Sequence, residues 1–267
     1  MLAQRVMTAI GLVAFLAIVL LWLPPMYAVI ALGVAILAGA WEWAALAGLE
    51  STRSRIAYVG ACAIAMAALW RASEGLSSFE SVLIVVMLGW VPLFGWIALF
   101  PGHSNRLLGS VAGIWALAPT WLALARLYFQ AHHGRELVVF VLVLAWAADI
   151  GAYFAGRYFG RLRLAPRVSP NKTWEGVLGG LAAGTVVAAA GVAWFELPAL
   201  AFLSLCIAAV LVSVVGDLVE SMFKRQRGMK DSGNLLPGHG GVLDRIDSLT
   251  SSVPLLALGL CWLGVVT

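Results

Sequence analysis

Apolar runs of membrane-spanning length occupy most of this sequence, and they constrain the fold more than any other feature. Crossing a hydrocarbon core about 30 Å thick takes roughly 20 apolar residues of α-helix. Candidate runs fall at about 6–23, 26–47, 56–70, 79–100, 107–128, 137–156, 175–195, 197–217 and 249–266, the third being the shortest. Because lipid offers backbone groups no hydrogen bonds, such runs must be helical. The sequence predicts an all-α, polytopic transmembrane protein with about nine spans.

The low charge content supports a membrane environment. Only 11% of the residues are charged, against about 25% in soluble domains. Neither a repeat nor a low-complexity linker divides the chain, so we expect one integral-membrane domain over 1–267. Within it, the spans of 1–135 are expected to act as scaffold and lipid contact. The spans of 136–267 carry two charged loops, 156–176 and 217–247, which we expect to be catalytic.

The distribution of basic residues predicts the orientation, because Lys and Arg concentrate in cytoplasmic loops. With the N-terminus inside and nine alternating spans, the outside segments hold only Arg71, Arg126 and Arg135 of the 17 basic residues. The two charged loops then lie inside, and the C-terminus lies outside.

Aspartates cluster in the second loop, although carboxylates near a membrane are costly. Four of the five lie at Asp217, Asp231, Asp244 and Asp247, and Asp149 lies in the sixth predicted span. We expect Asp217 to end a span, and Asp244 and Asp247 to share one face at the start of the last helix. Oxygen ligands from two helix ends suit a hard cation. These three aspartates are therefore predicted to bind Mg²⁺.

Basic residues alternate with these aspartates. Lys224, Arg225, Arg227 and Lys230 offer charge for phosphate, and the glycines around His239 allow the backbone to approach a ligand. Acidic groups for metal and basic groups for phosphate are typical of nucleotidyl or phosphoryl transfer. A basic loop can also be a topology signal or a headgroup anchor, which is the reading favoured for Arg157, Arg161, Arg163 and Arg167.

The first loop offers a second anion site. Ser169, Asn171 and Thr173 are all candidate N-caps for the seventh span. Lys172 would then lie beside a helix N-terminus, where anions bind favourably. Glu42, near an inside boundary, is interpreted as a membrane-interface residue.

Residues 221–247 resemble the signature of the phosphatidate cytidylyltransferase family, also called CDP-diacylglycerol synthases. Segments 169–176 and 148–157 are also similar to family segments. The signature positions are filled by Ser221, Lys224, Arg225, Lys230, Asp231, Gly233, His239, Gly240, Gly241, Asp244, Arg245 and Asp247.

The resemblance implies a Mg²⁺-dependent reaction of CTP with phosphatidate to give CDP-diacylglycerol and pyrophosphate, and leaves open a second cation. It also implies a homodimer in contact with membrane lipid. No nucleic-acid partner is expected. The implied catalytic residues are Asp217, Lys224, Arg225, Asp231, His239, Asp244, Arg245 and Asp247. The implied substrate-binding residues are Ser169, Asn171, Lys172, Ser221, Lys230, Gly240, Gly241 and Asp149.

Two other functions remain open at this point. A CTP-dependent kinase of a lipid alcohol or polyprenol would share the metal and phosphate chemistry but needs a hydroxyl acceptor. An anionic-solute transporter would place charges along its spans towards the midplane, where this chain has few besides Asp149. We expect a cytidylyltransferase in the bacterial cytoplasmic membrane, with its active site facing the cytosol.

Overall fold

Helices account for nearly all of the regular structure. The computed structural model describes residues 2–102, 105–130, 132–236, 238 and 240–266, without the side chains of 2–10 and 12. These described residues form α1 Leu2–Leu21, α2 Pro25–Leu46, α3 Thr52–Ala72, α4 Leu76–Leu99, α5 Arg106–Tyr128, α6 Gly134–Phe159, α7 Trp174–Phe195, α8 Ala199–Gln226 and α9 Leu249–Trp262. The predicted all-α membrane fold is confirmed.

The helices differ in their capacity to cross a bilayer. Within the part of the chain that the structure describes, seven helices, α2 to α8, are long and apolar enough to span it. The third predicted span proves longer than expected, since Ser51 caps α3 by accepting a hydrogen bond from Ser54 N. The ninth is shorter, because α9 has 14 residues and rises only about 21 Å. The predicted outside position of the C-terminus therefore stays a prediction.

A small hairpin interrupts the helices between α6 and α7. Strands β1 (Arg163–Ala165) and β2 (Ser169–Thr173) pair antiparallel, with Arg163 opposite Thr173 and Ala165 opposite Ser169. Thr173 is the N-cap of α7, because its hydroxyl accepts from Gly176 N at 3.1 Å. The other two predicted caps, Ser169 and Asn171, lie earlier on β2 and do not cap α7.

Two expectations about helix ends are wrong. Helix α8 does not end at Asp217 but continues to Gln226, where Lys224 and Arg225 suit the negative helix end. Asp244 lies in a short 3₁₀ helix, Leu243–Arg245, and α9 begins only at Leu249. Asp244 and Asp247 therefore do not share a face of the last helix.

Long-range hydrogen bonds show that the C-terminal ends of α2, α4 and α8 lie together at one end of the bundle, called here the site end. Arg227 Nε, just after α8, donates to Leu46 O at the end of α2, at 3.0 Å. Gln226 Nε2 donates to Pro101 O, after α4, at 2.7 Å. The predicted cytosolic loops are thus neighbours.

The other helix ends meet at the opposite end. Arg126 Nη2, late in α5, donates to Ser73 O after α3 at 2.8 Å. The Tyr128 hydroxyl donates to Leu20 O, at the end of α1, at 2.7 Å. The helices therefore alternate in direction, as the basic-residue pattern predicts.

Helices α6 and α7 approach each other through glycines. A β-carbon at Gly151 would lie 2.5 Å from Gly179 O, and one at Gly180 would lie 3.0 Å from Ala148 O. Small residues at such a crossing let two membrane helices pack backbone to backbone. Helices α6 and α7 also line the cavity described below, so this close packing holds two of its walls in place.

Candidate active site

A cavity of about 770 Å³ opens between α6, α7, α8 and β2 at the site end. Its lining includes the predicted site residues Asp149, Asn171, Lys172, Asp217, Asp244, Arg245 and Asp247. Small and apolar residues of α6 and α7, such as Ala152, Gly156 and Val177, complete the walls. One cavity therefore offers both charged and apolar surface.

Lys172 joins the two charged loops. Its Nζ on β2 forms an ion pair with Asp217 Oδ2 on α8. Asp217 Oδ1 also accepts a hydrogen bond from the Ser221 hydroxyl, one turn further along α8, at 3.2 Å. Three predicted site residues, Lys172 on β2 and Asp217 and Ser221 on α8, are thus in direct contact.

Asp244 is held by several donors at once. Lys224 Nζ donates to its Oδ1 at 2.8 Å, Gly241 N to its Oδ2 at 2.8 Å, and Ser232 N to both oxygens at 3.2 and 3.0 Å. Burial disfavours the charged carboxylate, but Lys224 and the two backbone donors outweigh it and hold the pKa of Asp244 below its ordinary value. Asp244 is therefore an anion at neutral pH.

Asp247 lies among other carboxylates. Its Oδ1 accepts from Ser248 N at 2.8 Å, and the Ser248 hydroxyl donates to Asp149 Oδ2 at 3.1 Å. Burial and the nearby charges of Asp217 and Glu220 raise the pKa of Asp247 well above its ordinary value. A cation bound here would relieve this repulsion, and the donor set fits the predicted Mg²⁺ in that respect.

The described residues nevertheless hold no preassembled cage of three or more His, Cys, Asp or Glu side chains. Lys172 and Lys224 are the present counterions of Asp217 and Asp244. Mg²⁺ commonly uses one or two carboxylates and completes its shell with water and substrate phosphates. Metal binding by Asp217, Asp244 and Asp247 thus stays a prediction that this geometry can accommodate.

Other predicted residues that the structure describes are absent from the cavity lining. Gly240 adopts φ +84°, and a β-carbon there would lie 2.9 Å from Asp244 Oδ2. Arg225 is exposed and donates through Nε to Val168 O at 3.4 Å. Lys230 and Asp231 are exposed, and Ser169 is half-buried on β2. His239 lies outside the described residues.

Sequence reasoning missed two buried glutamates. Glu220 is 1% exposed, and its Oε1 lies 3.3 Å from Lys224 Nζ. The sequence could have indicated Glu220, because Asp217, Glu220 and Lys224 are spaced three and four residues apart. This spacing puts all three on one side of a helix. Glu42, interpreted as an interface residue, is 3% exposed and contacts the second loop instead.

Comparisons with known proteins identify the family of this chain. The profile of the Cytidylyltransferase family matches residues 3–262. A phosphatidate cytidylyltransferase of Pseudomonas aeruginosa is 44% identical over 98% of this chain and 97% of its own length. One of Haemophilus influenzae is 40% identical, covering 95% and 96%, and one of Bacillus subtilis is 35% identical, covering 69% and 68%. With a family profile and two relatives matched over nearly the full length, this chain belongs to the cytidylyltransferase family.

Proposed function

We propose that this protein transfers the cytidylyl group of CTP to phosphatidate, giving CDP-diacylglycerol and pyrophosphate. The observation that carries the proposal is the cavity in which Lys172 of one loop meets Asp217 and Asp244 of the other, in a chain of this family. Near-full-length relatives that bear the name phosphatidate cytidylyltransferase support the choice of acceptor.

The reaction is a displacement between two anions. A phosphate oxygen of phosphatidate attacks the α-phosphorus of CTP, and the bond from that phosphorus to pyrophosphate breaks as the new one forms. Because a phosphate monoester is already ionised near neutral pH, no strong general base is required. The protein's task is to hold both phosphates in line and to offset their repulsion.

The basic residues of the cavity would hold the two phosphates and offset their repulsion. Lys172 and Arg245 both line it and can bind phosphate oxygens. Lys224 lies behind Asp244, at 2.8 Å, and orients that carboxylate. The apolar walls from α6 and α7 accept the beginnings of the acyl chains.

Mg²⁺ would be held by Asp217, Asp244 and Asp247, and a second cation remains open. When bound, the metal would supply charge neutralisation for the triphosphate. Asp217 would exchange its ion pair with Lys172 for the metal, which releases Lys172 for substrate phosphate.

The membrane setting is proposed from the charge pattern. Fourteen of the 17 basic residues lie in predicted inside segments, and the cavity lies among them at the site end. CTP is an aqueous substrate and phosphatidate is anchored in lipid, so a site at the cytosolic surface of the bacterial inner membrane serves both. A homodimer stays a prediction.

The reaction can be tested by following which phosphate of CTP is transferred to the lipid. The purified full-length protein is given phosphatidate, Mg²⁺ and CTP labelled at either the α- or the γ-phosphate. We expect α-label in the lipid and γ-label in pyrophosphate. Lipid labelled only from the γ-phosphate would instead indicate a kinase.

A further inference from the structure

A buried carboxylate from the N-terminal part of the chain contacts the second charged loop. Glu42 belongs to α2 and is 3% exposed. Burying a charged side chain is costly unless it is hydrogen-bonded. Residues of this kind inside membrane proteins mark function more often than packing, so the partners of Glu42 are informative.

Those partners come from two points in the loop. Leu243 N donates to Glu42 Oε2 at 2.8 Å, and the Ser232 hydroxyl donates to the same oxygen at 3.2 Å. A β-carbon at Gly233 or Gly241 would overlap the Glu42 carboxylate. These two glycines leave the space that lets the loop close around it.

Ser232 connects Glu42 to Asp244. Its hydroxyl donates to Glu42, while its N–H donates to Asp244 Oδ2 at 3.0 Å. Leu243, the other partner of Glu42, directly precedes Asp244 in the chain. Both bonds made by Glu42 therefore fix residues that set the position of the Asp244 carboxylate.

We propose that Glu42 is a positioning residue for the transfer reaction, acting through Ser232 and Leu243 to hold Asp244 against Lys224. This inference rests on the proposed function, because its effect is read in turnover. The predicted scaffold part of the chain then contributes directly to the geometry of the active site, from a position about 200 residues away.

The Glu42 carboxyl group accepts both of these hydrogen bonds on the same oxygen. A carboxylate can accept both bonds on one oxygen, and charged acceptors form stronger hydrogen bonds than neutral ones. Glu42→Gln keeps the size of the side chain but weakens the acceptor and adds an N–H donor beside Ser232. Loss of a supporting residue of this kind typically lowers activity about 10–100-fold.

The test compares Glu42→Gln with Glu50→Gln, which makes the same substitution at an exposed position just after α2. Full-length proteins are purified in lipid nanodiscs, and kcat, KM for CTP and the thermal midpoint are measured with α-labelled CTP. We expect Glu42→Gln to lower kcat about 10–100-fold with KM for CTP within about twofold and the midpoint little changed. Glu50→Gln should match the wild type.

Ser232→Ala provides a second variant, which removes the hydroxyl but keeps the N–H bond to Asp244. We expect a smaller loss of kcat, and the double variant should lose little more than Glu42→Gln alone, because the two residues share one network. If Glu42→Gln does not fold, Ser232→Ala decides the question by the same readout.

Three results would overturn the proposal. They are wild-type kcat in Glu42→Gln, wild-type kcat in Ser232→Ala, or a loss of activity in either variant that is fully explained by a smaller fraction of folded protein. Failure of the proposed function looks different, because the wild type itself would then transfer no α-label to phosphatidate.

Discussion

Lys172 and Asp217 form an ion pair that ties the β-hairpin to helix α8 across the cavity. Their side chains are 24% and 26% exposed, so both remain accessible to solutes that enter. The same aspartate is a predicted metal ligand, and the same lysine is a predicted phosphate ligand. Each residue is thus the partner of the other in this structure, and under the proposed function substrate and metal would replace these partners.

Replacing Lys172 should affect Mg²⁺ binding and turnover in opposite directions. Lys172→Met removes the cation that competes for Asp217, so Mg²⁺ should bind several-fold more tightly in the absence of nucleotide, while kcat/KM for CTP falls at least about tenfold. Isothermal titration calorimetry measures the first effect, and the α-label assay measures the second. Arg53→Met, at an exposed position in the first turn of α3, should change neither. Unchanged Mg²⁺ affinity in Lys172→Met would argue against the exchange.

The acidic residues of the cavity can be tested by neutral replacements of equal size. Asp217→Asn and Asp244→Asn should keep membrane insertion and the thermal midpoint but lower kcat on the order of 10²–10³-fold, the usual cost of losing one electrostatic group. Asp247→Asn should be similar or milder. The measurement is turnover as a function of Mg²⁺ concentration. Near-normal activity and Mg²⁺ dependence in a folded variant would exclude that residue as a ligand.

The close approach of α6 and α7 predicts opposite effects for two identical substitutions. A β-carbon at Gly179 would overlap Ala155, whereas one at Gly60 meets nothing within 4 Å. Alanine favours a helix over glycine by about 1 kcal/mol, so Gly60→Ala should be neutral or stabilising. Gly179→Ala should destabilise by about 1–3 kcal/mol through overpacking. Thermal midpoints in one lipid system test the difference, and equal shifts would contradict the packing described.

The orientation can be read with single cysteines, because the native Cys62, Cys206 and Cys261 are all buried. Arg167→Cys lies in the turn between β1 and β2, and Glu74→Cys lies at the opposite end of the bundle. A membrane-impermeant maleimide should label Glu74→Cys in intact cells, and Arg167→Cys only after permeabilisation. The reverse pattern would invert the orientation.

Much of the fold follows from local properties of the sequence. Each apolar run became a helix, because burial in lipid leaves no other way to satisfy the backbone. The end of α8 was misjudged because charged residues interrupt the apolar run at Asp217, Glu220 and Lys224, although their spacing is still helical. Composition indicated where the membrane ends but not where the helix ends. The hairpin was missed because strands of three and five residues carry little periodic signal.

The site was partly predictable for a similar reason. Clustering in the sequence identified Lys172, Asp217, Asp244 and Asp247, and the cavity brings them together. Glu42 could not be assigned, because its partners lie far along the chain and depend on the tertiary fold.

Helix α8 continues without a break from the apolar segment through Asp217 and Lys224. The separation of these two side chains is therefore set by backbone geometry, about 10.5 Å of axial rise over two turns, and not by a loop that can adjust. Helix α8 therefore fixes the distance between Asp217, which pairs with Lys172, and Lys224, which pairs with Asp244. Inserting one residue between them would rotate Lys224 by about 100°, so this stretch should tolerate substitutions far better than changes in length.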